Sequence, residues 1–210
     1  MSKKSLTLLF AGLLVLGSAV SGTLAWLTDQ STPVSNSFCG GNIQIGLLES
    51  TGSSYQMTPG VTVTKDPEVF IRPGSQPCYL FVELQQKNGE VTYTNAAGAT
   101  VTTKWSDFLS YEIDSAVWQN LAGQENVYYR IIDDETARVG NESAPYHILK
   151  DDAVSVKHTV TKEMMQALQA EPQHCPALNV SAYAVQYYKT NGVPFEPAEA
   201  WQERPKSGKA

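Results

Sequence analysis

Short stretches of alternating apolar and polar residues, rich in β-branched and aromatic side chains, dominate the chain from residue 42 onward. Turn-forming residues separate them, for example Asn88-Gly89 and the run 95–98. This pattern is typical of antiparallel sheets folded into a sandwich or barrel. We predict an all-β, jelly-roll-like antiparallel β-sandwich. The predicted strands cover residues 42–48, 61–64, 68–71, 78–84, 100–105, 109–113, 116–118, 127–132, 154–160 and 178–188.

For two of these strands, the sequence indicates which faces are buried. Residues 78–84 are apolar on both faces for part of their length, which predicts a central strand. The long strand 178–188 presents either its even-numbered set, from Leu178 to Gln186, or its odd-numbered set with Tyr183 and Val185, to the core. We expect one or two short helices, at 161–168 and at 106–109. Thr161 suits the N-cap of the first.

The N-terminus has the features of a secretory signal peptide. Lys3 and Lys4 precede an apolar run, Leu6–Val20, and small residues follow it. We expect cleavage after Ala25, with Thr23 at the other small position and Trp26 as the new N-terminus. The remaining 185 of the 210 residues suffice for one domain with its own core.

Four segments follow from this organisation: a signal peptide at 1–25, an N-terminal segment at 26–41, a β-sandwich domain at 42–193 and a polar C-terminal tail at 194–210. Cleavage changes the formal net charge from −6 to −8, because residues 1–25 hold two lysines and no acid. Such an acidic chain is unsuited to binding nucleic acid, which requires clustered Lys and Arg. We expect contact with a membrane only before cleavage, and then a secreted protein of the extracellular matrix or cell surface.

Four segments lie around the cleavage site: Thr23-Leu24-Ala25, Trp26-Leu27-Thr28-Asp29, Asn36-Ser37-Phe38 and Gly40-Gly41-Asn42-Ile43-Gln44-Ile45. Together they resemble the TasA/camelysin family, secreted biofilm-matrix proteins of Gram-positive bacteria. Two later stretches, 57–69 and 180–186, are also similar to family segments. The resemblance implies release by a SipW-type signal peptidase, a jelly-roll fold and fibre formation in biofilms.

Three cysteines, Cys39, Cys78 and Cys175, leave at least one thiol free or paired between chains in an exported protein. Whether any two of them form a disulfide stays open at this stage.

Catalytic motifs are missing from the sequence, and we predict a protein that is not an enzyme and needs no cofactor. The histidines, His147, His158 and His174, lie in three separate segments without a His-Glu-x-x-His pattern, and no Gly-x-Ser-x-Gly elbow follows the signal segment. The acidic runs 133–135 and 151–152 are oxygen-rich enough for calcium but lack EF-hand spacing. We expect solvated turns there.

The leading functional hypothesis is a structural protein that associates with itself into fibres. After cleavage, Trp26, Leu27, Thr28 and Asp29 would begin a free segment, 26–37, that adds as a strand to the open sheet edge of the next copy. Pro33 limits how far this segment can pair without a break. The alternative is that residues 26–37 form the first strand of their own domain. Related matrix proteins are further expected partners.

Two other functions remain open. Exposed aromatic residues would suit an adhesin or a carbohydrate-binding module; the candidates are Trp105, Trp118, Tyr128, Tyr129, Tyr187, Tyr188 and Trp201. The camelysin resemblance also implies a secreted metallopeptidase, which the sequence supports least because it lacks a metal motif.

Overall fold

The computed structural model describes residues 42–52 and 54–205. Twelve strands occupy this part of the chain, and every pairing between them is antiparallel. The strands are β1 (Ile45–Leu48), β2 (Thr62–Thr64), β3 (Glu68–Ile71), β4 (Cys78–Lys87), β5 (Thr92–Thr94), β6 (Thr100–Thr102), β7 (Leu109–Ile113), β8 (Gln119–Asn120), β9 (Val127–Ile132), β10 (Tyr146–His147), β11 (Leu149–Val156) and β12 (Ala177–Gln186). The prediction of an all-β antiparallel sandwich is confirmed, while its jelly-roll connectivity stays a prediction.

One layer of the sandwich has the strand order β12-β4-β9-β8. The other consists of two ladders, β1-β3-β10 and β2-β11-β7. They meet at Pro67, whose missing N–H interrupts the pairing. The Ile148 N–H donates to Pro67 O at 3.1 Å, and the Lys65 N–H donates to Asp152 O at 2.7 Å. The strand pair β2-β3 therefore runs beside the pair β11-β10 as one bent ribbon.

The main core lies between these two layers. Most of its fully buried side chains come from β4 and from the ribbon; these include Val69, Ile71, Leu80, Val82, Leu84, Ile148 and Leu149. The odd-numbered residues of β4 face the opposite way, where Tyr79 and Phe81 join a second, aromatic core. As predicted, β4 is a central strand covered on both faces. Burial on both sides removes its apolar side chains from water completely.

Strand β12 also uses both of its faces. Leu178, Val180, Ala182 and Ala184 pack against the main core, while Tyr183 and Val185 belong to the aromatic core. The two alternatives for its buried side are therefore both realised, because a second layer of side chains covers the outer face of its sheet.

The helical content exceeds the one or two short helices expected. The described residues form four α-helices: α1 (Trp105–Phe108), α2 (Asp134–Val139), α3 (Lys162–Ala170) and α4 (Pro197–Gln202). A 3₁₀ turn, Pro172–His174, follows α3. The predicted helices correspond to α1 and α3, and Thr161 caps α3 by accepting from the Met164 N–H.

Several assignments of the sequence analysis are wrong. The predicted strands 100–105 and 154–160 end at Thr102 and Val156, and the Val160 N–H closes a turn by donating to Lys157 O. Residues 116–118 form a turn rather than a strand, because the N–H groups of Val117 and Trp118 both donate to Asp114 O. The chain from 194 to 202 is not a loose polar tail. Pro197 starts α4, and Trp201, only 3% exposed, packs against Phe81 and Tyr183 with ring centroids 5.2 and 5.5 Å apart. The folded domain therefore extends beyond residue 193.

Candidate functional site

A groove of about 630 Å³ opens at one side of the sandwich. One wall is the segment 175–181, which contains the first half of β12, and the other is formed by β2 and the strip 54–57. We call this the side groove. Its floor is apolar and continuous with the main core; the floor residues are Val63, Leu109, Val154, Val156, Leu178 and Val180. Such a floor suits an apolar side chain better than a charged one.

The β12 wall of the side groove is a free sheet edge within the described part of the chain. Strand β12 pairs only with β4. The Leu84 N–H donates to Asn126 O next to β9, so the even-numbered residues of β4 direct their backbone groups toward β9. The odd-numbered residues of β4 therefore direct theirs toward β12, where they pair with the odd-numbered residues of that strand. Successive residues of a strand point their N–H and C=O groups to opposite sides. The even-numbered residues of β12, among them Leu178 and Val180, therefore present theirs at the open edge.

A carboxylate fixes the chain that follows β1. Asp66 accepts hydrogen bonds from the backbone N–H and hydroxyl groups of both Ser50 and Thr51. These bonds, that to Ser50 first, hold the pKa of Asp66 far below its usual range. Lys65 adds an ion pair to Glu49 at 2.6 Å. The chain after β1 is thereby drawn to Asp66 and does not continue along β2.

Strand β2 also has an open side. It pairs only with β11, and in the described part of the chain the backbone of residues 54–57 makes no hydrogen bond to it. The strip is attached through side chains instead: the Tyr55 hydroxyl donates to Glu49 and to Gly52 O. Burial raises the pKa of Tyr55, so this hydroxyl remains a donor at neutral pH. The side groove thus lies between two strand edges that lack backbone partners.

The predicted processing and self-association residues, Thr23, Ala25, Trp26, Leu27, Thr28 and Asp29, lie outside the described residues, as does Cys39.

The two other cysteines do not pair with each other. Cys78 begins β4 and is fully buried in the main core, where burial raises the pKa of its thiol to about 12. Cys175 is exposed and lines the side groove. It precedes Ala177, which pairs with Lys87 at the far end of β4. A ten-residue strand is about 30 Å long, far beyond the ~7 Å between Cα atoms that a disulfide allows.

The histidines and acidic runs have structural partners. His147 Nδ1 lies 3.0 Å from Asp152 Oδ1 and 3.3 Å from Glu68 Oε1, and these contacts raise its pKa, the Asp152 hydrogen bond most. Asp133 is the N-cap of α2 and accepts from the Thr136 N–H at 2.8 Å. Over residues 42–52 and 54–205, no three His, Cys, Asp or Glu side chains form a metal-binding group.

Residues 150–153 form an irregular bulge in β11, where Asp151 and Asp152 have positive φ angles of 57° and 49°. At this bulge the Asp152 carboxylate contacts His147 Nδ1. The spacing in the sequence gives no sign of that contact, because both residues read as parts of regular strands or turns.

Most of the candidate binding aromatics are not available for ligands. Trp105, Trp118 and Trp201 are at most 6% exposed, and the indole N–H groups of Trp105 and Trp118 donate to Ala177 O and His147 O. Tyr129 and Tyr187 pack against the aromatic core. These three tryptophans therefore pack in the interior and are not exposed for sugar binding.

No family model, no curated protein and no solved structure matches this chain. In the described part of the chain, no helix has the length and apolar character needed to cross a membrane.

Proposed function

We propose that this protein is an exported structural subunit of an extracellular matrix, and that it polymerises by strand addition. In this proposal, residues 26–37 of one copy occupy the side groove of the next. The observation that carries it is the pair of open strand edges, β12 and β2, above an apolar floor. An open edge accepts an added strand by backbone hydrogen bonding, and pockets beneath it accept alternate side chains.

The chemistry of the segment 26–37 fits such a groove. Alternate side chains of an added strand share a face, so either Trp26 and Thr28 or Leu27 and Asp29 point to the floor, and each pair brings one large apolar or aromatic side chain. Lys65 lies on the β2 wall. A short edge segment paired along only half of β12 also tolerates Pro33, which would break a longer ladder.

Strand addition between different surfaces of identical copies produces a filament. The donor segment and the side groove are distinct patches, so the contact is heterologous and need not close into a ring. The resemblance to the TasA/camelysin family supports the same conclusion, together with processing after Ala25 by a SipW-type peptidase. Secretion and a jelly-roll connectivity belong to this proposal.

The test starts from the mature form beginning at Trp26. We expect concentration-dependent growth by light scattering and filaments by negative-stain microscopy. A form beginning at Phe38, which lacks the donor segment but keeps all of the domain from 42, should stay monomeric. Filaments from this shortened form would refute strand addition by residues 26–37.

A matched pair of variants tests the acceptor. Val63→Lys places a charge on the groove floor, whereas Thr64→Lys places the same charge on the neighbouring, exposed position of β2. We expect Val63→Lys to stop growth and Thr64→Lys to leave it unchanged. Circular dichroism melts of both variants establish that they are folded. Equal growth of both would show that the side groove is not the acceptor.

A further inference from the structure

Strand β11 contains a strained bulge beside the side groove. Asp151 and Asp152 are consecutive residues with positive φ angles, and the register of β11 against β7 shifts between Leu149 and Val154. Aspartate enters this backbone region more readily than most residues, yet the conformation persists only where surrounding contacts hold it in place. Val154, where the regular pairing resumes, already lines the groove. The contacts that hold the bulge therefore also bear on the groove.

One of these contacts is made by the His147 imidazole. Its Nδ1 lies 3.0 Å from Asp152 Oδ1 and 3.3 Å from Glu68 Oε1, so it stands between a carboxylate of β11 and a carboxylate of β3. The His147 side chain is 48% exposed, which lets it exchange protons with the solvent. A protonated imidazole attracts both carboxylates, whereas a neutral one leaves two negative charges close to each other.

The charged groups that act on this imidazole are carboxylates from three different elements. They are Asp152 on β11, Glu68 on β3 and Asp114 directly after β7, and the hydrogen bond to Asp152 raises the pKa of the imidazole most. Within the part of the chain that the structure describes, no lysine or arginine forms an ion pair with any of the three. Lys150, on the bulge itself, pairs with Glu112 instead. Among the described residues, the protonated imidazole is therefore the cation that balances these carboxylates.

The bulge is joined to the groove wall by a backbone hydrogen bond. The Lys65 N–H, directly after β2, donates to Asp152 O at 2.7 Å. Lys65 lines the side groove, and its Nζ pairs with Glu49, another lining residue. Asp152 thus contacts His147 through its carboxylate and fixes the end of the β2 wall through its carbonyl. A change at the imidazole reaches the groove through this one residue.

We propose that protonation of His147 switches the side groove between a fixed and a loosened form. With the imidazole charged, the bulge keeps its strained backbone and Asp152 O holds the Lys65 N–H. With the imidazole neutral, repulsion between Asp152 and Glu68 favours a relaxed bulge, and the bond to Lys65 weakens. Because these carboxylates raise the pKa of His147, the fixed form persists to a higher pH than an isolated histidine would allow and is lost as the pH rises further.

The inference concerns the regulation of the proposed function and rests on it for any effect on filaments. An edge that is already ordered binds an added strand with less loss of conformational freedom than a loosened one. The β2 wall should therefore accept a strand more readily at mildly acidic pH than at mildly alkaline pH. The switch itself is a property of the single folded domain, so it can be measured without assembly.

Hydrogen exchange of the Lys65 amide, resolved by mass spectrometry with fragmentation, measures the switch in the mature protein kept too dilute to assemble. After correction for the intrinsic exchange rate, we expect its protection to be about two- to five-fold lower at about pH 8 than at about pH 5.5, as for a partly exposed ion pair. The Val156 amide, which donates to Val61 O in the same ladder away from the bulge, should show no such difference.

Three variants identify the group responsible. His147→Gln should give the weaker protection of Lys65 at both pH values, and His147→Lys, which stays charged, should give the stronger protection at both. His158→Gln changes an exposed histidine after β11 and is the matched control, which should keep the pH dependence of the unmodified protein. Circular dichroism melts establish that all three variants are folded.

The outcomes separate this inference from the proposed function. Equal protection of Lys65 at both pH values, or a difference that persists in His147→Gln, would overturn the switch. Concentrating the mature protein at each pH then measures filament growth by light scattering. Filaments that grow equally well while the protection of Lys65 changes would overturn the control of the groove. No filaments at either pH, with the change in Lys65 protection intact, would refute the proposed function and leave the switch standing.

Discussion

Trp201 gives the sharpest test of the fold. Its indole ring is 97% buried against Phe81 and Tyr183, and the Arg204 guanidinium lies 3.6 Å from its ring centroid. Truncating a buried tryptophan to alanine costs about 3–5 kcal/mol, because the lost transfer free energy is compounded by the cavity that remains. Trp201→Ala should therefore lower the free energy of unfolding by an amount in this range, a large part of the stability of a typical domain.

Urea denaturation followed by far-ultraviolet circular dichroism measures this loss. Gln202→Ala is the matched control, since it lies next to Trp201 in the same helix but is exposed, and it should change the free energy by less than about 0.5 kcal/mol. A loss below 1 kcal/mol in Trp201→Ala would show that α4 does not cover the aromatic core in solution. It would restore the interpretation of residues 194–202 as a loose tail.

Three further results are expected. Asp66→Asn should lower the free energy of unfolding by about 1 kcal/mol, because its bonds to Ser50 and Thr51 are weaker. The lowered pKa of Asp66 means that the stability its carboxylate adds is lost only as the pH falls. In acid titrations monitored by fluorescence, Asp66→Asn should therefore lose less stability below pH 4 than the unmodified protein. Because the pKa of His147 is raised in the folded protein, its ion pairs stabilise the fold below pH 6.5, and this stability is lost as the pH rises through the pKa of the folded state. Thermal melts of His147→Gln over the same pH range should lack this decline. Gly46→Ala places a Cβ against the Phe70 ring, where there is no room for it, and should cost about 1–3 kcal/mol in urea denaturation.

Each of these three has its own contradicting result. Parallel acid titration curves for Asp66→Asn and the unmodified protein would remove Asp66 as the support of the chain after β1. An unchanged decline in His147→Gln would assign the pH dependence to other groups. A Gly46→Ala protein as stable as the original would mean that β1 moves away from Phe70 at little cost.

Local patterns in the sequence were sufficient for elements whose stability is itself local. The run 78–84 has apolar residues on both faces for part of its length, and β4 is central for that reason. Thr161 before an apolar stripe correctly indicated α3. The error at 116–118 has a local cause as well: Ala116-Val117-Trp118 has strand-like composition, but the preceding Asp114 accepts from the N–H groups of Val117 and Trp118. Burial of Trp118 then depends on a turn.

The side groove was beyond prediction because distant segments build it. Its walls come from 54–57, 63–65 and 175–181, and its shape depends on Asp66 drawing Ser50 and Thr51 aside. No periodicity encodes such a contact. The acidic run at 133–135 shows a related difficulty, because an Asp suited to a solvated turn is equally suited to an N-cap. Here Asp133 caps α2, and Ala137 of this helix is buried in the main core.

The pairing of β4 has a consequence for the chain while it is being made. Phe81 is opposite Tyr129 in one neighbouring strand and Tyr183 in the other, so its partners are synthesised about fifty and one hundred residues later. Synthesis proceeds from the N-terminus at a limited rate. Strand β4 therefore waits with both edges unpaired for about fifty residues, and its edge toward β12 stays unpaired until the chain is nearly complete. During that interval it is the segment most in need of protection from aggregation.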